Sequence, residues 1–145
     1  MKSDELFQEI KEKLLLYPPK KSELEKEDDI NYLISEYDFN TYNEIMNLNM
    51  LNIINENIED WKINEFKNRI DTNFKNWNMK EGLREYIKYI SLYLTFISKQ
   101  PLHPYKNNKN LFGVYEKNSE FYCCNKKKFN KEENSLCFYC ICKEI

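Results

Sequence analysis

The chain has 145 residues, a formal net charge of −2, and 41% hydrophobic and 15% aromatic residues. That length suits one compact domain, or a domain with a small appendage, and the many large side chains suffice for a core. The charge excludes global attraction to nucleic acid or an anionic membrane, and the most apolar stretch, Tyr89 to Ser98, is well short of the ~18 residues a membrane span needs.

The start, Met1-Lys2-Ser3-Asp4-Glu5, carries no apolar leader, so the expected location is cytoplasmic. Residues 1–40 hold six lysines against eleven acids, whereas residues 121–145 hold five lysines against three acids. There is no Ala and one Val, beside 20 Asn and 20 Lys, a bias of the kind AT-rich codons produce. It weakens any low-complexity reading of the Asn content.

The first two thirds predict helices. Ser3 or Asp4 can cap a helix with Leu6, Phe7, Ile10, Leu14 and Tyr17 on one face, stopped by Pro18-Pro19. Ser22-Glu23-Leu24-Glu25 reads as a capping box before a second, highly charged helix with Ile30, Leu33 and Ile34. Thr41-Tyr42-Asn43-Glu44 reads as another, opening a third helix. Ile63, Phe66, Ile70, Phe74 and Trp77 give the cleanest helical periodicity of the chain. Asn78 is placed to cap a last long helix, Met79 to about Lys99, whose Tyr86, Ile87, Tyr89, Ile90, Leu92, Tyr93, Leu94, Phe96 and Ile97 cover nearly every face. A helix apolar all round is one that neighbours enclose, and its tyrosines then need hydroxyl partners.

At Pro101-Leu102-His103-Pro104 the character changes. Leu111 to Tyr115 and Glu120 to Cys123 predict a short hairpin around Lys117-Asn118-Ser119. A lysine-rich loop follows, and Glu132 to Cys142 predicts a helical segment, or a turn and one helical turn. The expected architecture is mainly α: a bundle of about five helices over residues 1–100, with a small C-terminal β-hairpin and Cys-rich metal knuckle over residues 101–145.

All five cysteines, Cys123, Cys124, Cys137, Cys140 and Cys142, fall after residue 122. In a cytosolic chain, an odd number gathered this tightly fits metal or free thiols better than a disulfide framework. Cys137-x2-Cys140 sets two thiolates on one turn, and tetrahedral zinc takes four ligands, commonly two from each of two segments. Adjacent residues diverge, so one of Cys123 and Cys124 is expected to join Cys137, Cys140 and Cys142. Zinc is the expected metal and an iron–sulfur cluster the alternative, since Cys-x2-Cys serves both. Two other readings stand beside these: small buried hydrophobes, and a redox pair at Cys137 and Cys140, for which a thioredoxin-like setting is missing.

His103, the lone histidine, is either a further metal ligand or proton carrier, or a loop residue closing the helix. Lys126-Lys127-Lys128 with nearby aromatics resembles a nucleic-acid patch, but two Arg and a negative total favour a solvated loop. No phosphate-cradling glycine loop or nucleophile elbow is present. Function is therefore read as a small metal-stabilised binding or adaptor module, its partner not named by the sequence and a protein among the options. The competing class is a redox protein or enzyme with an open metal site near His103.

Ile90-Ser91-Leu92-Tyr93-Leu94-Thr95-Phe96-Ile97, Pro101-Leu102-His103-Pro104 and Ser135-Leu136-Cys137-Phe138-Tyr139-Cys140 resemble a family of short proteins of unknown function from methanogenic archaea. The likeness implies an anaerobic archaeal cytosol, compatible with thiol-bound zinc or iron–sulfur, and brings no activity with it.

Overall fold

The computed structural model describes residues 1–19, 30–76, 80–105, 114–123, 136 and 139–144. Among these are four α-helices, α1 (Ser3–Leu16), α2 (Ile30–Asn47), α3 (Asp60–Asn76) and α4 (Glu81–Leu92). A π-helical segment, Tyr93–Ile97, continues α4 directly. Three strands follow, β1 (Val114–Lys117), β2 (Glu120–Cys123) and β3 (Lys143–Glu144).

The core assembles from the periodic positions. Leu6, Phe7, Ile10 and Leu14 of α1, Ile45 of α2, and Ile63, Phe66, Ile70 and Phe74 of α3 are all buried. They enclose Tyr86, Tyr89, Ile90, Leu92, Tyr93 and Leu94, so α4 is the central helix, packed by α1, α2 and α3. Its polar members are mostly satisfied. Lys88 is buried yet paired with Asp71 at 2.7 Å and Glu85 at 3.0 Å, and Tyr93 donates to Glu44 Oε2 at 3.0 Å. The hydroxyl partner that the sequence called for is here a carboxylate. The exceptions are the Tyr86 hydroxyl, Arg84 Nε and, in the π-helical continuation, Thr95 Oγ1, which are buried with no hydrogen-bond partner among the described residues.

Three expectations need correction. The second and third helices are one, because α2 runs through the Thr41-Tyr42-Asn43-Glu44 box without a break. Thr41 is buried there and its hydroxyl donates to Tyr37 O at 2.9 Å, so the residue satisfies itself within the helix rather than starting one. The Ser22 capping box, Trp77 and Asn78 lie outside the described residues. The N-cap of α1 is Lys2. Ser3 Oγ turns instead to Glu56 O at 3.1 Å, beside the Lys2–Asn57 β-bridge that ties the start of α1 to the loop before α3. Finally, the central helix widens at Tyr93. Ser98 N donates five residues back to Tyr93 O, and Gln100 N six back to Leu94 O at 2.8 Å. Lys99 takes φ 53° to make that return, a left-handed cap of the kind glycine usually supplies.

Candidate functional site

The C-terminal unit is organised by a tight hairpin. Asn118 and Ser119 both have positive φ, 53° and 64°, the two-residue turn whose twist matches paired strands. It fixes the register Val114↔Cys123 through Lys117↔Glu120. β3 then adds to β2 in parallel, with Tyr122 facing Lys143 and Cys123 facing Glu144. The sequence did not announce β3, since two residues carry no period. Where the 132–142 stretch is described, it is turn and bend rather than helix beyond Leu136, with Tyr139 N donating to Leu136 O at 3.0 Å.

Strand alternation sorts the sheet into two faces. Glu120, Tyr122 and Lys143 lie on the wet one, where Glu120 accepts from Lys143 at 2.7 Å and Tyr122 at 2.8 Å. These bonds, that of Lys143 foremost, hold the Glu120 carboxyl below its usual range. The opposite face gathers Val114, Cys123 and Cys142 into a separate small core, with Phe121, Tyr105 and Cys140 packed against it. Cys123 is 5% exposed and Cys142 2%. Among the described residues, no disulfide joins Cys123, Cys140 or Cys142.

His103 is half-buried near Cys140. Burial pushes its imidazole pKa down, while the Cys140 thiolate opposes that shift. A histidine held neutral is in the form that can ligate a metal or accept a proton. Tyr37 of α2 closes the group from the bundle side. Its hydroxyl donates to Pro101 O at 2.5 Å, and its ring meets Tyr105 edge-on at 6.2 Å. Burial raises the Tyr37 phenol far above its usual value, with Tyr105, Asp38, Cys140 and Cys142 adding to the shift. Tyr105 carries the contact onward to Phe121 at 4.9 Å and donates to Gln100 Oε1 at 2.9 Å.

The fold thus brings Cys123 to Cys142, and His103 to Cys140, around Tyr37 and Tyr105. Cys124 and Cys137 lie outside the described residues. Among the described residues, no group of three or more His, Cys, Asp or Glu side chains is arranged to hold a metal ion. Sequence reasoning missed both tyrosines. Tyr105 follows Pro104 directly and was open to notice, whereas Tyr37 is distant in sequence and had no local signal.

Two further features bear on the site. Tyr139 anchors the tail in the bundle, edge-on to Phe66 at 5.7 Å and under the Arg69 guanidinium at 5.1 Å. Asp38, next to Tyr37, is part-buried with no ion-pair partner among the described residues, and burial pushes its carboxyl up to about 7. No helix among the described residues is long and apolar enough to cross a membrane.

Residues 2–145 match the family described as "Uncharacterized protein conserved in archaea (DUF2115)". UPF0305 protein MJ0646 of Methanocaldococcus jannaschii is 32% identical over 161 aligned positions, covering 100% of this chain and 98% of the relative. UPF0305 protein MmarC6_0221 of Methanococcus maripaludis strain C6 is 28% identical over 163 positions, with the same coverage. No solved structure matches. The resemblance drawn from the Ile90–Ile97, Pro101–Pro104 and Ser135–Cys140 blocks therefore holds over the whole length, and the chain belongs to this archaeal family.

Proposed function

We propose that residues 101–145 form a thiol-based metal unit, with zinc bound by Cys137, Cys140, Cys142 and Cys123, and that the protein is a cytoplasmic, metal-stabilised binding or adaptor module. The observation that carries this reading is the burial of Cys123 and Cys142 on one face of the sheet, with Cys140 packed against them. Thiols from β2 and from the segment before β3, well apart in sequence, converge on one small core. Such convergence suits a soft divalent ion. The burial of Cys123 also favours it over Cys124 as the fourth ligand. Among the described residues this core is three buried side chains and their neighbours, and metal binding would then add to its folding energy. The lysines of 126–131 would balance the negative charge of a four-thiolate site.

A second reading is favoured by one observation, the nearness of the neutral-leaning His103 to Cys140. It gives an open site, with three sulfurs and an exchangeable position near His103, on zinc or an iron–sulfur cluster, suited to redox or catalytic work.

Elemental analysis and an absorption spectrum on protein purified without oxygen, beside a Cys137→Ser variant, test both. About one zinc per chain, colourless and lost in the variant, supports the closed site. Iron with sulfide and a brown colour supports the redox reading. Folded protein that holds no metal overturns the proposal.

A further inference from the structure

Asp38 stands on α2 where the helix pattern calls for an apolar residue. Asp38, Thr41, Tyr42 and Ile45 follow the i, i+3, i+4, i+7 spacing of one helix face. Thr41 and Ile45 are buried, and α2 packs on the central helix α4. Among the described residues no hydrogen bond or ion pair reaches the Asp38 carboxyl, and burial alone acts on it. An unpaired acid on this face costs stability, and nothing in the packing returns it.

A second unsatisfied group lies beside it. Tyr86 of α4 is 7% exposed, and its hydroxyl has no hydrogen-bond partner among the described residues. Burial first, then Asp38 and Tyr42, raise its phenol, so the oxygen stays a neutral hydroxyl with lone pairs to offer. The Tyr42 ring meets that of Tyr86 at 6.2 Å, and Phe39 stacks on Tyr42 at 6.4 Å. Tyr37, the other phenol facing Asp38, has its hydroxyl committed to Pro101 O. Phe39 is 47% exposed, and Asp38 and Tyr42 are part-exposed, so the group is open to water on this side.

A carboxylate without a cation, a phenol oxygen without a donor and aromatic faces at their edge call for one kind of ligand. We propose that Asp38 and Tyr86 bind a small alkylammonium ion, its N–H groups donating to the carboxylate and the phenol oxygen and its alkyl group against Tyr42 and Phe39. The carboxylate selects the sign of the ligand. The Tyr86 oxygen favours N–H donors over a bare charge, and the rings add cation–π attraction. A divalent metal ion would need more oxygen ligands than these two.

The test is titration of the full chain with ethylammonium chloride at pH 8 and constant ionic strength, where Asp38 is largely ionised, read by amide NMR shifts. Potassium and tetramethylammonium serve as matched charges without N–H groups. Ethylammonium should saturate one site in the millimolar range and move the amides of Phe39, Tyr42 and Tyr86, with both comparison ions at least about fivefold weaker. Asp38→Asn keeps the side chain's shape and should abolish binding. Tyr86→Phe keeps the ring and should weaken binding roughly tenfold with no fall in Tm, which separates loss of the site from loss of the fold. Absence of saturation by about 50 mM, or undiminished binding in Asp38→Asn, overturns the site. Equal affinity for potassium overturns the ammonium, and undiminished binding in Tyr86→Phe overturns the hydroxyl. Much tighter binding of Nα-acetyl-lysine amide, the same head on a peptide, overturns the free amine in favour of a protein lysine.

Discussion

Replacing Asp38 by Asn should stabilise this protein above neutral pH and do little near pH 4. Asp38 sits on α2 where burial raises its carboxyl from 3.8 to about 7, and it has no cation to offset that burial among the described residues. Among the described residues, the groups that face it are phenols, Tyr37 and Tyr86, and Tyr86 brings a hydroxyl without a partner there rather than a charge. Between pH 4 and pH 7 the folded chain keeps the Asp38 proton while the unfolded chain has released it. The unfolded state therefore binds fewer protons, and stability falls as pH rises through that window. About three units at roughly 1.4 kcal/mol each bound the loss at about 4 kcal/mol. Water reaching a part-exposed carboxylate roughly halves this, to about 2 kcal/mol. Asn matches the protonated acid in shape and has no charge to bury. The variant should therefore gain about 2 kcal/mol at pH 8, or roughly 6 °C in Tm for a chain of this size. The gain should shrink below about 1 kcal/mol at pH 5 and vanish near pH 4. Thermal unfolding by circular dichroism across that range reads it directly, and an NMR titration of the Asp38 carboxyl carbon should have its midpoint near 7. A gain that is flat with pH, or a loss at pH 8, would refute the reasoning, because it would mean that Asp38 is ionised and satisfied in the folded protein.

Other outcomes follow from the packing. Phe66 is fully buried and meets Phe96 at 5.5 Å and Tyr139 at 5.7 Å, so Phe66→Ala should cost about 3–5 kcal/mol in urea unfolding and also loosen the C-terminal tail. Ser119 holds φ 64° in the hairpin turn, so Ser119→Gly should stabilise by about 0.5–1 kcal/mol, provided the turn keeps its hand. Tyr37→Phe removes the hydroxyl that bonds Pro101 O and should cost about 1 kcal/mol by the same denaturation assay, with faster amide exchange at residues 102 to 105.

The helical part of this fold was legible because its signal is local. Ile63, Phe66, Ile70 and Phe74 needed only their spacing to be placed in the core, and the all-round apolarity of 86–97 foretold a central helix. Thr41 misled because a capping box is a local preference, and a buried hydroxyl can be satisfied by the carbonyl four residues back as well as by a helix start. The π-turn had no signature, since the residues that widen a helix at Tyr93 are the same types that continue one. At the site, the cysteines and His103 stood out by composition. Their meeting with Tyr37 depends on how α2 lies against the Pro101 loop, and the β2–β3 pairing joins strands some 20 residues apart, neither of which a window of neighbours can contain.

The parallel pairing of β2 with β3 also sets an order in time. At about 5–20 residues added per second, β2 is complete roughly one to four seconds before β3 exists to join it. During that interval Cys123 has no Cys142 to lie against, and Phe66 lacks the ring of Tyr139. The helices can collapse on the nascent chain as they emerge. The thiol face closes only once β3 has followed β2 by those 20 residues, and until then the growing protein is open to any ion, oxidant or chaperone that recognises unpaired cysteine.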